Sequence, residues 1–160
     1  MQEKNGAVSK QKVGTKIAYK EEMEKTDVLP APAGGERKME ATAMKFGLLK
    51  DIKNGEYRTI VTPAEVEAIV RDGHEVYVQK GAGVGAGFAD EQYAQEGAKL
   101  VDTMEEIYGT CDFVTKVKEL EPCEFPLLRE NQIVLTCIHP AAHPQEVQAL
   151  LDSKCIAFTA

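Results

Sequence analysis

The chain has 160 residues, of which 43% are hydrophobic and 28% are charged, and its net charge is −7 at pH 7. This length and composition are typical of one globular domain and exclude a fully disordered chain, collagen and a coiled coil. No apolar run approaches the roughly 20 residues of a transmembrane helix, and residues 1–25 lack the apolar core of a secretory signal, so we expect a cytoplasmic protein with no membrane partner.

The first 43 residues differ in composition from the rest of the chain. They carry 8 basic and 7 acidic side chains and few apolar ones, whereas residues 44–160 carry 11 basic and 19 acidic side chains. A Pro-, Ala- and Gly-rich stretch over 29–35 is typical of a linker. We therefore predict a flexible N-terminal extension over 1–43 and a folded domain over 44–160. The acidity of this domain argues against a nucleic-acid partner, whose phosphates bind basic patches.

From Met44 onward, short apolar runs alternate with stretches that carry helix-capping signals. Six strands are predicted: Met44–Leu49, Glu75–Gln79, Ala98–Val101, Asp112–Val117, Ile133–Ile138 and Lys154–Thr159. Helices are predicted to begin at the capping box of Thr62 and Glu65, at Asp90, at Thr103 and at Pro144, the last with a buried face of Val147, Leu150 and Leu151. This alternation predicts an α/β fold, a Rossmann-like (flavodoxin-like) parallel sheet with helices on both faces. In such sheets ligands bind beyond the carboxyl ends of the strands.

Arg58 lies in the long connection that follows the first predicted strand. A guanidinium at this edge of the sheet can form two parallel hydrogen bonds with a ligand carboxylate. From the residues alone a second interpretation stays open, in which Arg58 is a surface side chain paired with Glu56 or Asp51.

Two lysines, Lys116 and Lys118, close the fourth predicted strand. Strand alternation places both on one face, where an acidic ligand or the neighbouring Glu119 would relieve their repulsion. Lysines at strand ends are also common without any function, so this interpretation stays open too.

His139 follows the fifth predicted strand directly, with prolines at 140 and 144 stiffening the exit. A histidine at the carboxyl end of a strand is suited to the role of a general acid or base. His143 precedes a helix and His74 lies at the opposite edge of the sheet, so both are interpreted as structural. The prolines exclude a helical zinc motif, and the four cysteines form no paired motif, so we predict no metal site and reduced, mostly buried thiols.

A glycine-rich segment, Gly81-Ala-Gly-Val-Gly-Ala-Gly87, follows the second strand and fits a dinucleotide-binding fingerprint. However, the next helix is predicted to begin near Asp90, outside the fingerprint, and acidic residues at its start would repel a phosphate. We therefore predict a flexible loop near the site and no cofactor-binding residue in this chain.

Several motifs occur together in a recognisable order. They are Lys53-Asn-Gly-Glu-Tyr-Arg58 with Thr62-Pro63, Gly73-His-Glu-Val76, the segment from Gly81 to Phe88, Gly97-Ala98, Lys116-Val-Lys-Glu119 and His139-Pro-Ala-Ala142. In this respect the chain resembles the N-terminal domain of the alanine dehydrogenase and proton-translocating transhydrogenase superfamily. The alanine dehydrogenases have His at the position of His139, where transhydrogenase domains typically have Trp, so the resemblance favours the alanine dehydrogenase branch.

The resemblance implies an oxidoreductase of amino acid metabolism that interconverts L-alanine with pyruvate and ammonia and uses NAD. It implies that Arg58 and Lys118 bind the substrate, with Lys118 and His139 catalytic, and that the protein is a homo-oligomer. Family members bind NAD in a second domain and complete the first with C-terminal segments. Since neither follows Ala160, we expect a single incomplete catalytic domain, inactive alone because a nicotinamide must lie against the substrate.

Two other functions stay open. The domain can be a stand-alone, non-catalytic module that binds 2-oxo acids or a partner protein. Alternatively, it belongs to a related dehydrogenase that reductively joins an amino acid to a 2-oxo acid. Activity with NADH, pyruvate and ammonia would distinguish an alanine dehydrogenase from the non-catalytic module. Substrate screening would distinguish it from the condensing dehydrogenase.

Overall fold

A computed structural model of the protein describes residues 42–159. The predicted N-terminal extension therefore lies outside the described residues, apart from its last two positions. The predicted domain start at Met44 stays a prediction.

Six parallel strands form one sheet in the order β3-β2-β1-β4-β5-β6. They are β1 (Lys45–Leu48), β2 (Glu75–Gln79), β3 (Lys99–Val101), β4 (Phe113–Thr115), β5 (Ile133–Thr136) and β6 (Ile156–Thr159). The strand order reverses between β1 and β4, and this reversal is the switch point at which doubly wound α/β folds bind ligands. The predicted fold class is confirmed, but β4 and β5 both end two residues earlier than predicted.

Four α-helices connect the strands: α1 (Pro63–Arg71), α2 (Asp90–Gln95), α3 (Met104–Thr110) and α4 (Pro144–Ser153). Two short 3₁₀ helices, Val84–Ala86 and Phe125–Leu127, were not predicted. Helix α1 begins as predicted, because Glu65 accepts a hydrogen bond from the backbone of Thr62 and Pro63 occupies the first turn.

Both faces of the sheet carry helices, as predicted. On one face α1 and α2 contribute Val66 and Tyr93 to a core with Leu48, Val76 and Val78. On the other face α3 contributes Ile107 and Tyr108 to a core with Val114, and α4 contributes Leu150 to a core with Val134. Leu128 packs against both of the latter cores, which makes them continuous.

The buried face of α4 differs from the prediction. Leu150 is buried and Val147 half-buried, but Leu151 is 67% exposed, and Glu146 is buried instead. The Oε1 atom of Glu146 accepts a hydrogen bond from the backbone N–H of Leu120 at 2.8 Å, and burial raises the pKa of this carboxyl. The buried face of helix α4 thus includes a polar side chain, which is hydrogen-bonded to the backbone of the connection after β4. Hydrophobic periodicity cannot detect such a face.

An open apolar groove of about 320 Å³ lies on the α1 face of the sheet. Its floor is formed by Phe46, Phe113 and Leu135, and its wall by Ile60 and Ile69. The edge strand β6 is also apolar and exposed, with Phe158 54% exposed. Within residues 42–159, the α1 side of β4 and β5 is therefore not fully covered.

The thiols partly differ from the prediction. All four cysteines are free, but only Cys111 is buried, whereas Cys123 is exposed and the other two are half-buried. Burial raises the pKa of the Cys111 thiol to about 12, so it stays protonated at neutral pH.

Gly47 of β1 is required by the packing of α3 on the sheet. A Cβ atom at this position would lie 2.5 Å from Ile107 Cγ2 and 2.9 Å from Cys111 Sγ, and both side chains are fully buried. We expect Gly47→Ala to lower the free energy of unfolding by about 1–3 kcal/mol, as overpacked cores do. Urea denaturation measures this. Gly109→Ala, on the exposed side of α3 with open space around the added methyl, should instead raise stability by up to about 1 kcal/mol.

Candidate active site

Three connections meet at the switch point, at the carboxyl ends of β1, β4 and β5. Asp51, after β1, accepts a hydrogen bond from the backbone N–H of Lys118 at 2.8 Å, through Oδ2. Thr136, at the end of β5, donates its hydroxyl to the backbone carbonyl of Lys118. An ion pair between Lys53 and Glu119 adds a further link between the first two connections. The backbone around Lys118 is therefore held from both sides.

Arg58 forms a two-point ion pair with Glu56. Its Nε and Nη2 atoms donate to Oε1 and Oε2 of Glu56 at 2.8 and 2.6 Å, and its backbone N–H also donates to Oε1 at 3.0 Å. These bonds, with a smaller contribution from the charge of Lys118, lower the pKa of Glu56 to about 2. The pairing proposed in the second interpretation of Arg58 is present.

The ion pair does not use the whole guanidinium. A guanidinium has five N–H donors, and Glu56 engages only the edge that contains Nε. The Glu56 side chain is 7% exposed, whereas that of Arg58 is 68% exposed. The buried carboxylate of Glu56 thus fixes the orientation of the Arg58 guanidinium from the protein side. The solvent-exposed Nη1–Nη2 edge remains available to a second carboxylate.

Lys116 and Lys118 have different environments, which corrects the expectation that both lie on one face. Because β4 ends at Thr115, strand alternation does not extend to these residues. Lys116 is buried, with its Nζ atom 2.7 Å from Oε2 of the buried Glu124. Lys118 is half-buried, and within residues 42–159 its ammonium group has no ion-pair partner, although it interacts electrostatically with Glu56. Only Lys118 is available to a ligand.

His139 lies after β5 and its side chain is 58% exposed. Its Nδ1 atom faces Oε2 of Glu119 at 3.8 Å, and the ring of His143 lies edge-on to it with centroids 6.5 Å apart. Cys137, two residues before His139, contributes to the raised pKa of Arg58, after the larger effect of Glu56. Arg58 and the end of β5 therefore lie within electrostatic range of each other.

His143 and His74 were interpreted as structural. His143 is the residue before α4, as predicted, but its Nε2 atom also contacts Glu119 Oε1 at 3.2 Å, which no sequence pattern indicated. His74 lies at the amino end of the sheet, where its Nδ1 atom accepts a hydrogen bond from the backbone N–H of Met44 at 3.2 Å.

The glycine-rich segment supports the loop that carries Arg58. A Cβ atom on Gly85 would lie 3.0 Å from the backbone oxygen of Tyr57, so this close approach favours glycine. Helix α2 begins at Asp90, as predicted, but Asp90 does not cap it: its Oδ1 accepts a hydrogen bond from the backbone N–H of Gly81 at 2.8 Å. The carboxylate of Asp90 therefore binds the first backbone N–H of the glycine-rich segment. Together with the connection after β1, the loop lines a cleft of about 240 Å³.

Two structural features are absent from residues 42–159. No helix there is both long and apolar enough to cross a membrane. No group of three or more His, Cys, Asp or Glu side chains in the same range is arranged to hold a metal ion.

Residues 47–160 match the family model described as alanine dehydrogenase/PNT, N-terminal domain. This chain belongs to that family. The alanine dehydrogenase of Methanococcus maripaludis is 47% identical over 111 residues, which cover 69% of this chain and 30% of the relative. The alanine dehydrogenase of Mycobacterium tuberculosis is 41% identical over 110 residues, with the same coverage of each chain.

Two solved structures have the same fold as this chain. An L-alanine dehydrogenase superposes with a TM-score of 0.70 at 36% identity, over 72% of this chain and 32% of that chain. A transhydrogenase from Sinorhizobium meliloti superposes with a TM-score of 0.67 over 72% of this chain and 34% of that chain, and at 22% identity it shows the fold alone. The chain therefore spans about a third of the length of these relatives. Its membership confirms the resemblance predicted from the motifs.

Four side chains of this family member contribute to the site but were not predicted as site residues: Asp51, Lys53, Glu56 and Glu119. Asp51, Glu56 and Glu119 were predicted only as partners that neutralise a neighbouring cation, and Lys53 only as part of a motif. No signal in the sequence marks the contact of Asp51 with Lys118 or that of Lys53 with Glu119, because these contacts cross 67 and 66 residues of chain.

Proposed function

We propose that this chain is the substrate-binding domain of an NAD-dependent alanine dehydrogenase, which interconverts L-alanine with pyruvate and ammonia. One observation carries the proposal: Arg58 and Lys118 lie at the switch point, near the connection that carries His139, with an open guanidinium edge and an ammonium group that has no ion-pair partner within residues 42–159. The charge of Lys118, which no ion pair within residues 42–159 balances, and the free N–H donors of Arg58 offer a small anion a site in an otherwise acidic chain. The family relatives, named as alanine dehydrogenases, support the choice of reaction.

The proposed roles follow from the chemistry of the three side chains. Arg58 binds the substrate carboxylate through its Nη1–Nη2 edge, while Glu56 keeps the guanidinium in place. Lys118 donates a hydrogen bond to the carbonyl oxygen of pyruvate, where negative charge develops during reduction. His139 transfers a proton at its exposed imidazole edge. NAD, bound by another part of the protein, supplies the hydride chemistry.

Calorimetric titration of this chain with pyruvate tests the anion site without any cofactor. We expect Arg58→Ala to weaken the affinity for pyruvate by about 10- to 100-fold, since it removes a charge-assisted two-point contact. The matched control is Arg71→Ala, because Arg71 lies in the last turn of α1, at the opposite edge of the sheet. Equal affinity of wild type and Arg58→Ala would contradict the assignment of Arg58.

A chimera tests the reaction. Residues 47–160 replace the matching domain of the M. maripaludis enzyme, and NADH oxidation is followed with pyruvate and ammonia. Turnover by the chimera above that of the M. maripaludis enzyme from which the matching domain has been deleted supports the proposal. Pyruvate binding by the chain without turnover of the chimera would favour a binding module. Turnover only when a second amino acid replaces ammonia would favour a condensing dehydrogenase.

A further inference from the structure

Glu119 is a buried carboxylate with three cationic or imidazole neighbours. Its side chain is 5% exposed, and it contacts Lys53, His139 and His143. Buried carboxylates are rarely left without hydrogen-bond partners. The neighbours of each Glu119 oxygen therefore indicate which side chain that oxygen binds.

The two oxygens of Glu119 have different neighbours. Oε1 contacts the Nζ atom of Lys53 and lies 3.2 Å from Nε2 of His143. Oε2 faces Nδ1 of His139 at 3.8 Å. The two contacts at Oε1 restrict rotation of the carboxylate, which keeps Oε2 directed towards His139. The 3.8 Å separation is longer than a hydrogen bond, as is common for catalytic groups without bound substrate.

We propose that Glu119 is the positioning residue for His139. Its Oε2 atom accepts a hydrogen bond from Nδ1–H of the imidazole, which leaves the unprotonated Nε2 atom to face the substrate. The inference rests on the proposed function, because it gives His139 the tautomer that its acid–base role needs. Lys53 and His143 act on the same carboxylate and hold it in place.

The proposal assigns a tautomer to each of the three histidines of the chain. His74 must carry its proton on Nε2, because its Nδ1 accepts a hydrogen bond from the backbone of Met44. His143 carries its proton on Nε2, the atom that faces Glu119 Oε1. His139 is then the one histidine with its proton on Nδ1. The other two serve as internal references in the same sample.

Nitrogen-15 NMR of the imidazole rings measures these tautomers in this chain, without substrate or cofactor, at about pH 9, above the usual pKa range of imidazole. We expect the Nδ1–H form to be the major form of His139 and the Nε2–H form to be the major form of His74 and His143. In Glu119→Met, which removes the acceptor at similar volume, His139 should lose the Nδ1–H form as its major form. Glu121→Met, which removes a carboxylate two residues away, should leave all three unchanged.

A major Nε2–H form of His139 in the wild type would overturn the proposal, and this result does not depend on whether any variant folds. An unchanged His139 tautomer in a folded Glu119→Met variant would overturn it as well. Failure of the proposed function has a different signature, because pyruvate binding and chimera turnover are measured separately. If the tautomers are as expected but pyruvate does not bind, the positioning of His139 stands and the alanine dehydrogenase assignment fails.

Discussion

Lys116→Ala is expected to lower the free energy of unfolding by about 3–5 kcal/mol, because it leaves the carboxylate of Glu124 buried without its counter-charge. The side chains of Lys116 and Glu124 are 1% and 2% exposed. Glu124 also accepts a hydrogen bond from the hydroxyl of Tyr108 at 3.1 Å and from the backbone of Glu121 at 2.8 Å. Burial, with a contribution from Glu124, raises the pKa of Tyr108, so the phenol remains a donor.

Urea denaturation of this chain at pH 7 measures the effect of Lys116→Ala. The matched control is Lys118→Ala, two residues along, which should change stability by less than about 1 kcal/mol. A double variant, Lys116→Met with Glu124→Gln, should recover part of the loss, since it removes both charges and keeps an acceptor for Tyr108 but not for the backbone N–H of Glu121. Equal destabilisation by the two single lysine variants would contradict the distinction between a structural and a ligand-binding lysine.

His139→Ala is expected to lower kcat of the chimera by about 10²- to 10⁴-fold, which is the usual contribution of a general acid or base. KM for pyruvate should change by only a few-fold, because Arg58 and Lys118 provide the proposed anion contacts. Steady-state kinetics with NADH and ammonia in excess separate the two constants.

His74→Ala is the control for this experiment, because His74 lies at the amino end of the sheet. It should leave kcat of the chimera within a few-fold of the parent. If His139→Ala changes KM as much as kcat, His139 binds substrate and does not transfer the proton.

The two lysines show where prediction from the sequence stops. Period-two alternation assigned Lys116 and Lys118 to one face, but this rule holds only while the chain remains a strand. Because β4 ends at Thr115, the bend that follows directs one lysine inwards to Glu124 and leaves the other at the site. The same limit applies to α4, where a hydrogen bond to the backbone of Leu120 makes Glu146 a buried residue.

The sequence by itself determined the α/β class, the six strands, the starts of α1, α3 and α4 and the family, because these depend on local periodicity, capping and ordered motifs. It also placed Arg58, Lys118 and His139 after strands, at one edge of a parallel sheet. Only the tertiary structure decided which charges from different connections meet, with Glu119 contacting both Lys53 and His139. The physical reason is that side chains from different connections meet through the strand order, over distances in sequence that no local pattern records.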